Sequence, residues 1–190
     1  MARNVLIVGA LRQAKRLALM LKAEGYGEIH LSPDCGQALE AAGRLTPDVV
    51  IIDADQPGQD PLRLVRELLE GRPLPIVMYS SYDRIDKVLE ADEMGVSSHL
   101  FRPITRKNLL GALELGISRF RQCQALHAEV GDCKEALRVR KVIERAKGIL
   151  MRRNSFDEEQ AYLRIQKLSR DSNVPMEKVA DSIITADEIM

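Results

Sequence analysis

Short apolar runs alternate with amphipathic stretches along the first 120 residues. The runs fall at Val5–Val8, Glu28–Leu31, Val49–Ile52, Ile76–Tyr79 and His99–Phe101. Helix-like stretches separate and follow them, near Arg12–Glu24, Gly36–Arg44, Pro61–Glu70, Arg84–Met94 and Arg106–Phe120. VLIV and VVII are almost continuously apolar, as strands buried on both faces must be. Five strand–helix units of this kind predict an α/β fold, a doubly wound five-stranded parallel sheet with helices on both faces. Ligands of such sheets sit at the carboxyl ends of the strands, and Asp53, immediately after the third run, falls in that crevice.

The fifth helix does not stop where a compact domain would end it. No proline occurs from Thr105 to Asn154, and glycines at 111, 116, 131 and 148 weaken a helix without forcing a break. A spacing of three and four runs through Leu113, Gly116, Phe120, Cys123, His127, Val130, Lys134 and Leu137. That is a poor coiled-coil seam, with His127 and Lys134 at inward positions. A long helix carrying a weak coiled coil, and hence a homodimer, is expected; a solvated linker helix is the alternative. Ser155-Phe156-Asp157-Glu158 matches a capping box. It starts a helix over Asp157–Arg170 expected to bury Ala161, Tyr162, Ile165 and Leu168. Pro175 suits the first turn of a last helix whose apolar face is Val179, Ile183 and Ile184. The expected divisions are residues 1–119, a helical linker over 120–138, and a small three-helix all-α domain over 139–190.

The segment Val139–Met151, VRKVIERAKGILM, carries the strongest chemical signal. On a helical wheel Val139, Val142, Ile143, Ala146, Ile149 and Leu150 share one face. Gly148 centres the opposite face, with Lys141, Arg145 and Arg152 to one side and Arg140 and Lys147 to the other. Glycine inside a helix costs about 1 kcal/mol relative to alanine, and packing does not ask for it here. Bare backbone ringed by cations suits an anionic ligand that must approach closely, nucleic acid above all. The bland alternative is a solvated amphipathic helix.

Composition changes this picture in one respect. The formal net charge is zero over 190 residues, which alone argues against a polyanion. Residues 1–120 hold 15 basic and 16 acidic side chains, whereas residues 138–170 hold 10 basic and 4 acidic, a local charge of +6. The basic patch is therefore local. No run of eighteen apolar residues predicts a membrane span, and the N-terminus does not read as a signal peptide. Cys35, Cys123 and Cys133 are spaced for no metal motif, and reduced thiols in a cytoplasm are expected.

Two families are recognisable in these residues. The C-terminal part resembles the ANTAR domain, an RNA-binding module of bacterial transcription antiterminators. The match runs through Arg140-Lys141, Ile143-Glu144-Arg145-Ala146-Lys147-Gly148, Leu150-Met151, Glu159, Ala161-Tyr162 and Val179-Ala180; Ser169 stands where alanine is common. The first 120 residues resemble a response-regulator receiver domain, which implies a flavodoxin-like sheet. The ANTAR resemblance implies binding of nascent leader RNA that forms two small hairpins, so that the terminator hairpin does not form. Lysine and arginine, at Arg140, Lys141, Arg145, Lys147 and Arg152, then hold phosphates, and Gly148, beside Ala146 and Lys147, admits an RNA loop. Tyr162 either stacks on a base or joins the core.

The receiver resemblance implies a phosphoacceptor at Asp53 and a hydroxyl at Ser80. It also brings departures. An acidic pair that helps hold magnesium is replaced by Gly9 and Ala10, the lysine position holds Arg102 before Pro103, and His99 takes the place of an aromatic switch residue. Magnesium asks for carboxylate oxygens, and arginine does not substitute for a compact ammonium. The expectation is a pseudo-receiver without bound magnesium that works by protein contact, through a sensor or sequestering partner. Asp53 is either paired with Arg102 or a structural acid at a strand end. The runner-up function is a DNA-binding two-component response regulator, opposed by the acids Glu177, Asp181, Asp187 and Glu188 on the last helix. An enzyme is not expected: there is no Gly-rich phosphate loop and no nucleophile–base pair, and His30, His99 and His127 are scattered.

Overall fold

The computed structural model describes residues 3–81 and 85–189. The chain divides into two compact units, Met1–Gln124 and Ala125–Met190. In the first, β1 (Val5–Val8), β2 (Ile29–Ser32), β3 (Val49–Asp53), β4 (Ile76–Ser80) and β5 (Ser98–Phe101) form one parallel sheet in the order β2-β1-β3-β4-β5. The intervening helices are α1 (Leu11–Lys22), α2 (Cys35–Leu45), α3 (Pro61–Gly71) and α4 (Ile85–Glu93). Arg84, the expected start of α4, lies outside the described residues. This is the doubly wound architecture the apolar runs predict, with strand ends shifted by a residue.

Successive side chains of a strand point to opposite faces, and both faces are filled. Val5, Ile7, Val49, Ile51, Val77 and Tyr79 pack with α1 and with Leu109, Ala112, Leu113 and Ile117 of α5 (Arg106–Asn154). Leu6, Val8, Val50, Ile52, Ile76 and Met78 face α2, α3 and α4. Order reverses at β1, between β2 and β3, so the crevice at the carboxyl ends opens beside Gly9 and Asp53.

Beyond the sheet α5 continues without a break to Asn154, and every residue from 121 to 138 is exposed. In the second unit the last part of α5 packs with α6 (Glu158–Ser172) and α7 (Met176–Ile189). Their core is small: Ala146 and Ile149 of α5, Ile165 of α6, and Ala180 and Ile184 of α7, with Val142, Ile143, Leu150, Val179 and Ile183 partly buried around it. Ala161 of α6 is also fully buried.

Two local expectations are corrected here. Ser155 adopts a left-handed φ of 55°, so it ends the connection from α5 and does not cap α6. Asp157 is the N-cap, accepting from the Gln160 amide while the Gln160 side chain accepts from the Asp157 amide. The box is therefore Asp157–Gln160, two residues later than Ser155–Glu158. Tyr162 is not core. It is 42% exposed, because Ala161 and Ile165 define the buried stripe and Tyr162 falls to its side; Leu168 is half-buried.

Candidate nucleic-acid interface and receiver pocket

The crevice of the first unit is occupied by the protein's own side chains. Asp53 closes β3 and is 5% exposed. The Arg102 guanidinium, just past β5, donates to Asp53 Oδ1 at 2.8 Å, and the Asp55 amide donates to the same oxygen at 3.1 Å. Arg102 Nε is also 3.8 Å from Asp55 Oδ2, and that oxygen accepts from the Ser81 amide at 2.6 Å and hydroxyl at 2.9 Å. Tyr79, beside Asp53 in the parallel register of β3 and β4, lies under the guanidinium, whose carbon is 5.3 Å from the ring centroid. Burial, and then the Asp53 charge, push the Tyr79 phenol far above its ordinary range. Among the described residues, the Ser80 hydroxyl and His99 Nε2 are buried without a hydrogen-bond partner. Burial lowers the His99 pKa and favours the neutral ring. Ala10 is exposed at the start of α1 and offers no side-chain cap.

These residues do not fit a magnesium ion. Gly9 has φ 152°, and a Cβ there would lie 2.8 Å from Asp53 Cβ and 3.0 Å from Tyr79 Oη. The tyrosine therefore fills the space into which an acidic side chain from this position would project. Asp53 Oδ1 and Asp55 Oδ2 already answer to Arg102 and backbone donors. Tyr79 is the pocket residue that sequence reasoning missed. Its signal is a bulky phenol next to last in the strand Ile76–Ser80, just before the expected hydroxyl of Ser80.

The second unit separates the residues expected on one cationic face into three groups. Arg140, Lys141, Arg145 and Arg152 are exposed along α5. Gly148 opens the surface among them: an added Cβ would meet only Arg152 Nη1, at 3.9 Å. Ala146 is fully buried in the core, as its wheel position requires, so it is removed from the contact surface. Lys147 is the main correction. It is 6% exposed, with Nζ donating to Glu144 Oε1 at 2.9 Å and Glu158 Oε1 at 2.8 Å. Adjacent helix positions differ by about 100°, which carries Lys147 away from Gly148 toward the start of α6. The Glu158 carboxylate, then Glu144, raises the Lys147 pKa, and Lys147 lowers that of Glu158. The ammonium is covered by these partners, not sunk in the core, and stays charged.

The acidic end of α7 also touches this face. Arg145 pairs with Glu188 at 2.8 Å, Arg153 with Asp187 at 2.5 Å, and Arg152 with Asp187 at 4.0 Å. Among the described residues Arg140 and Lys141 make no ion pair within 4.0 Å. Arg164, Lys167 and Arg170 add exposed cations on α6 that lie outside the sequence motif, and Tyr162 is exposed on the same helix.

Residues 132–184 match the ANTAR domain, and residues 9–114 match the response regulator receiver domain. The chain belongs to the ANTAR response regulators. It is 35% identical over 168 residues to the transcriptional regulatory protein PdtaR of Mycobacterium tuberculosis, in strains CDC 1551 / Oshkosh and ATCC 25618 / H37Rv, covering 88% of this chain and 82% of that protein. The chemotaxis response regulator CheY4 of Vibrio cholerae superposes with a TM-score of 0.56 at 23% identity, over 61% of this chain and 99% of that one. A CheY-like receiver domain protein from Methanospirillum hungatei gives 0.58 at 17% identity, over 64% and 98%. These structures share the fold of the first unit.

This ANTAR response regulator thus couples a receiver fold to a module of a transcription-regulatory family, a combination that is not an enzyme class. Among the described residues no helix is long and apolar enough to cross a membrane, and no three His, Cys, Asp or Glu side chains group as a metal site.

Proposed function

We propose that this regulator is a cytoplasmic RNA-binding antiterminator that grips paired hairpins in nascent leader RNA and so prevents terminator formation. One observation carries the reading. Within the ANTAR-matched segment, an exposed row of Arg140, Lys141, Arg145 and Arg152 surrounds a glycine with open space above it. Cations hold phosphates without reading sequence, and the bare helix backbone at Gly148 lets an unpaired loop approach. Exposed Tyr162 offers a stacking face to a splayed base. Lys147 acts differently, holding α5 to α6 so that the row keeps its shape.

A homodimer presents two such faces, one for each hairpin. The first unit then regulates by contact with a sensor or sequestering protein, because Arg102 and Tyr79 already fill the acceptor crevice. A competition gel shift with a two-hairpin RNA and a duplex DNA of matched length tests the reading. Displacement by the RNA at concentrations where the DNA has no effect supports it; equal competition overturns it.

A further inference from the structure

Strand β2 forms one edge of the sheet, and α2 covers it thinly. β1, β3 and β4 are buried throughout, whereas Ile29, His30 and Leu31 of β2 are only partly so. The buried residues of α2 are Ala38 and Ala42, where α1 and α3 each bury two leucines. Methyl groups reach less far than isobutyl groups, and a cavity of about 360 Å³ stays open between α2 and β2. That volume lies at the low end for small-molecule sites, roughly 300–1,000 Å³. Leu31 and Leu45 give part of the wall, and His30, Ser32, Gln37, Glu40 and Arg44 give the polar remainder. Gln37, Glu40 and Arg44 recur at three and four, so they share one face of α2.

The hydrogen-bonding capacity left on this wall is selective. Glu40 precedes Arg44 by four residues, the favourable order for a helical ion pair. Yet among the described residues neither pairs with the other or with a third group. One charge of each sign therefore stands at the mouth. Further in, the donors are already used. The Ser32 hydroxyl donates to the Asp34 carbonyl at 3.0 Å. The Gln37 side-chain NH2 donates to Asp34 Oδ2 at 2.7 Å, and the Gln37 amide donates to Asp34 Oδ1 at 2.8 Å. His30 Nε2 lies 3.3 Å from Glu28 Oε2. What remains is acceptors: the lone pairs of Ser32 Oγ, the carbonyl oxygen of Gln37, and Nδ1 of a neutral His30 ring.

We propose that this cavity binds a free α-amino acid with an amide side chain. Arg44 takes the carboxylate, Glu40 takes the ammonium, and the side-chain NH2 donates to Ser32 Oγ and the Gln37 carbonyl. An amino acid with a carboxylate side chain turns acceptors toward acceptors and is rejected, because buried polar groups left unpaired are costly. The Ser32 carbonyl accepts from the Gly9 amide at 3.0 Å. The site thus adjoins the filled acceptor crevice and gives the first unit an input other than a phosphoryl group.

Calorimetric titration of the full chain with L-glutamine, L-asparagine, L-glutamate and L-aspartate tests this. One of the two amides binds, and its acidic counterpart binds about tenfold more weakly or worse. Arg44→Gln and Glu40→Gln each weaken the amide by a similar factor. Arg66→Gln, exposed on α3 and outside the cavity, leaves it unchanged. Absence of heat with both amides at millimolar concentration overturns the proposal. Equal affinity for an amide and its acid overturns it too, as does amide binding that survives Arg44→Gln undiminished.

Discussion

Lys147 Nζ lies 2.8 Å from Glu158 Oε1, across the junction of α5 and α6. The central lysine of the Ala146-Lys147-Gly148 motif is therefore an internal tie. Lys147→Met is expected to lower the thermal midpoint of the second unit, and Glu158→Gln to lower it through the same contact, with the double variant losing less than the sum of the two. The check is a double-mutant cycle. Additive losses contradict the tie. Lys147 has its pKa raised, so its contribution is complete below the ordinary lysine value and fades as pH rises through the folded-state value. Glu158 has its pKa lowered, so its contribution is complete above the ordinary glutamate value and fades as pH falls.

The Asp53–Arg102 pair predicts a receiver that does not accept phosphate readily. Incubation with a small phosphodonor and magnesium, followed by intact mass, should show no stoichiometric gain on Asp53. Gly9→Asp with Ala10→Asp should not restore it, because the Cβ at position 9 meets Asp53 and Tyr79 and the backbone there has positive φ. These substitutions should instead destabilise the first unit. Rapid, complete phosphorylation of the unaltered protein contradicts the account.

His99 gives the first unit an acid sensitivity of definite sign. Burial lowers its pKa, with Asp92 opposing. Above its ordinary value the ring is neutral, folded or unfolded. As pH falls through that value the unfolded chain takes the proton first, so stability is lost until the lower folded-state pKa is reached. Urea midpoints at roughly pH 7.5 and 5.5, either side of the ordinary histidine value, should fall further for the unaltered protein than for His99→Phe. An equal fall contradicts this.

Asp187 and Glu188 lie against Arg145, Arg152 and Arg153, so under the proposed function they would compete with RNA phosphate for them. Asp187→Asn with Glu188→Gln should tighten hairpin binding several-fold at low salt, with the gain shrinking as salt rises. Filter binding across a salt series measures both. Unchanged affinity at low salt contradicts the competition.

The sheet was legible because its strands are apolar on both faces, and the helices because their periodicity is strong. Strand and helix ends moved by a residue or two because pattern carries little information about caps. The capping box moved from Ser155 to Asp157 because Asp157 with Gln160 repeats the pattern two residues on, and the left-handed turn at Ser155 rules out the first. Lys147 was misplaced for a different reason. A wheel assigns a residue to a face of one helix, but Glu158 comes from another helix, and only packing brings it near. Tyr79 was missed because its significance depends on space vacated by Gly9, which follows a different strand.

The central claim is that the open backbone at Gly148, among the cations, receives RNA. Recovery and sequencing of RNA bound in cells, for the unaltered protein and for Gly148→Leu, tests it most directly. The variant should fold at least as firmly, since replacing a helical glycine gains up to about 1 kcal/mol and an added Cβ meets no clash. Leader RNAs with paired hairpins should be enriched with the unaltered protein and lost with Gly148→Leu. Absence of such leaders from the unaltered protein, or equal recovery by a folded Gly148→Leu, contradicts the account.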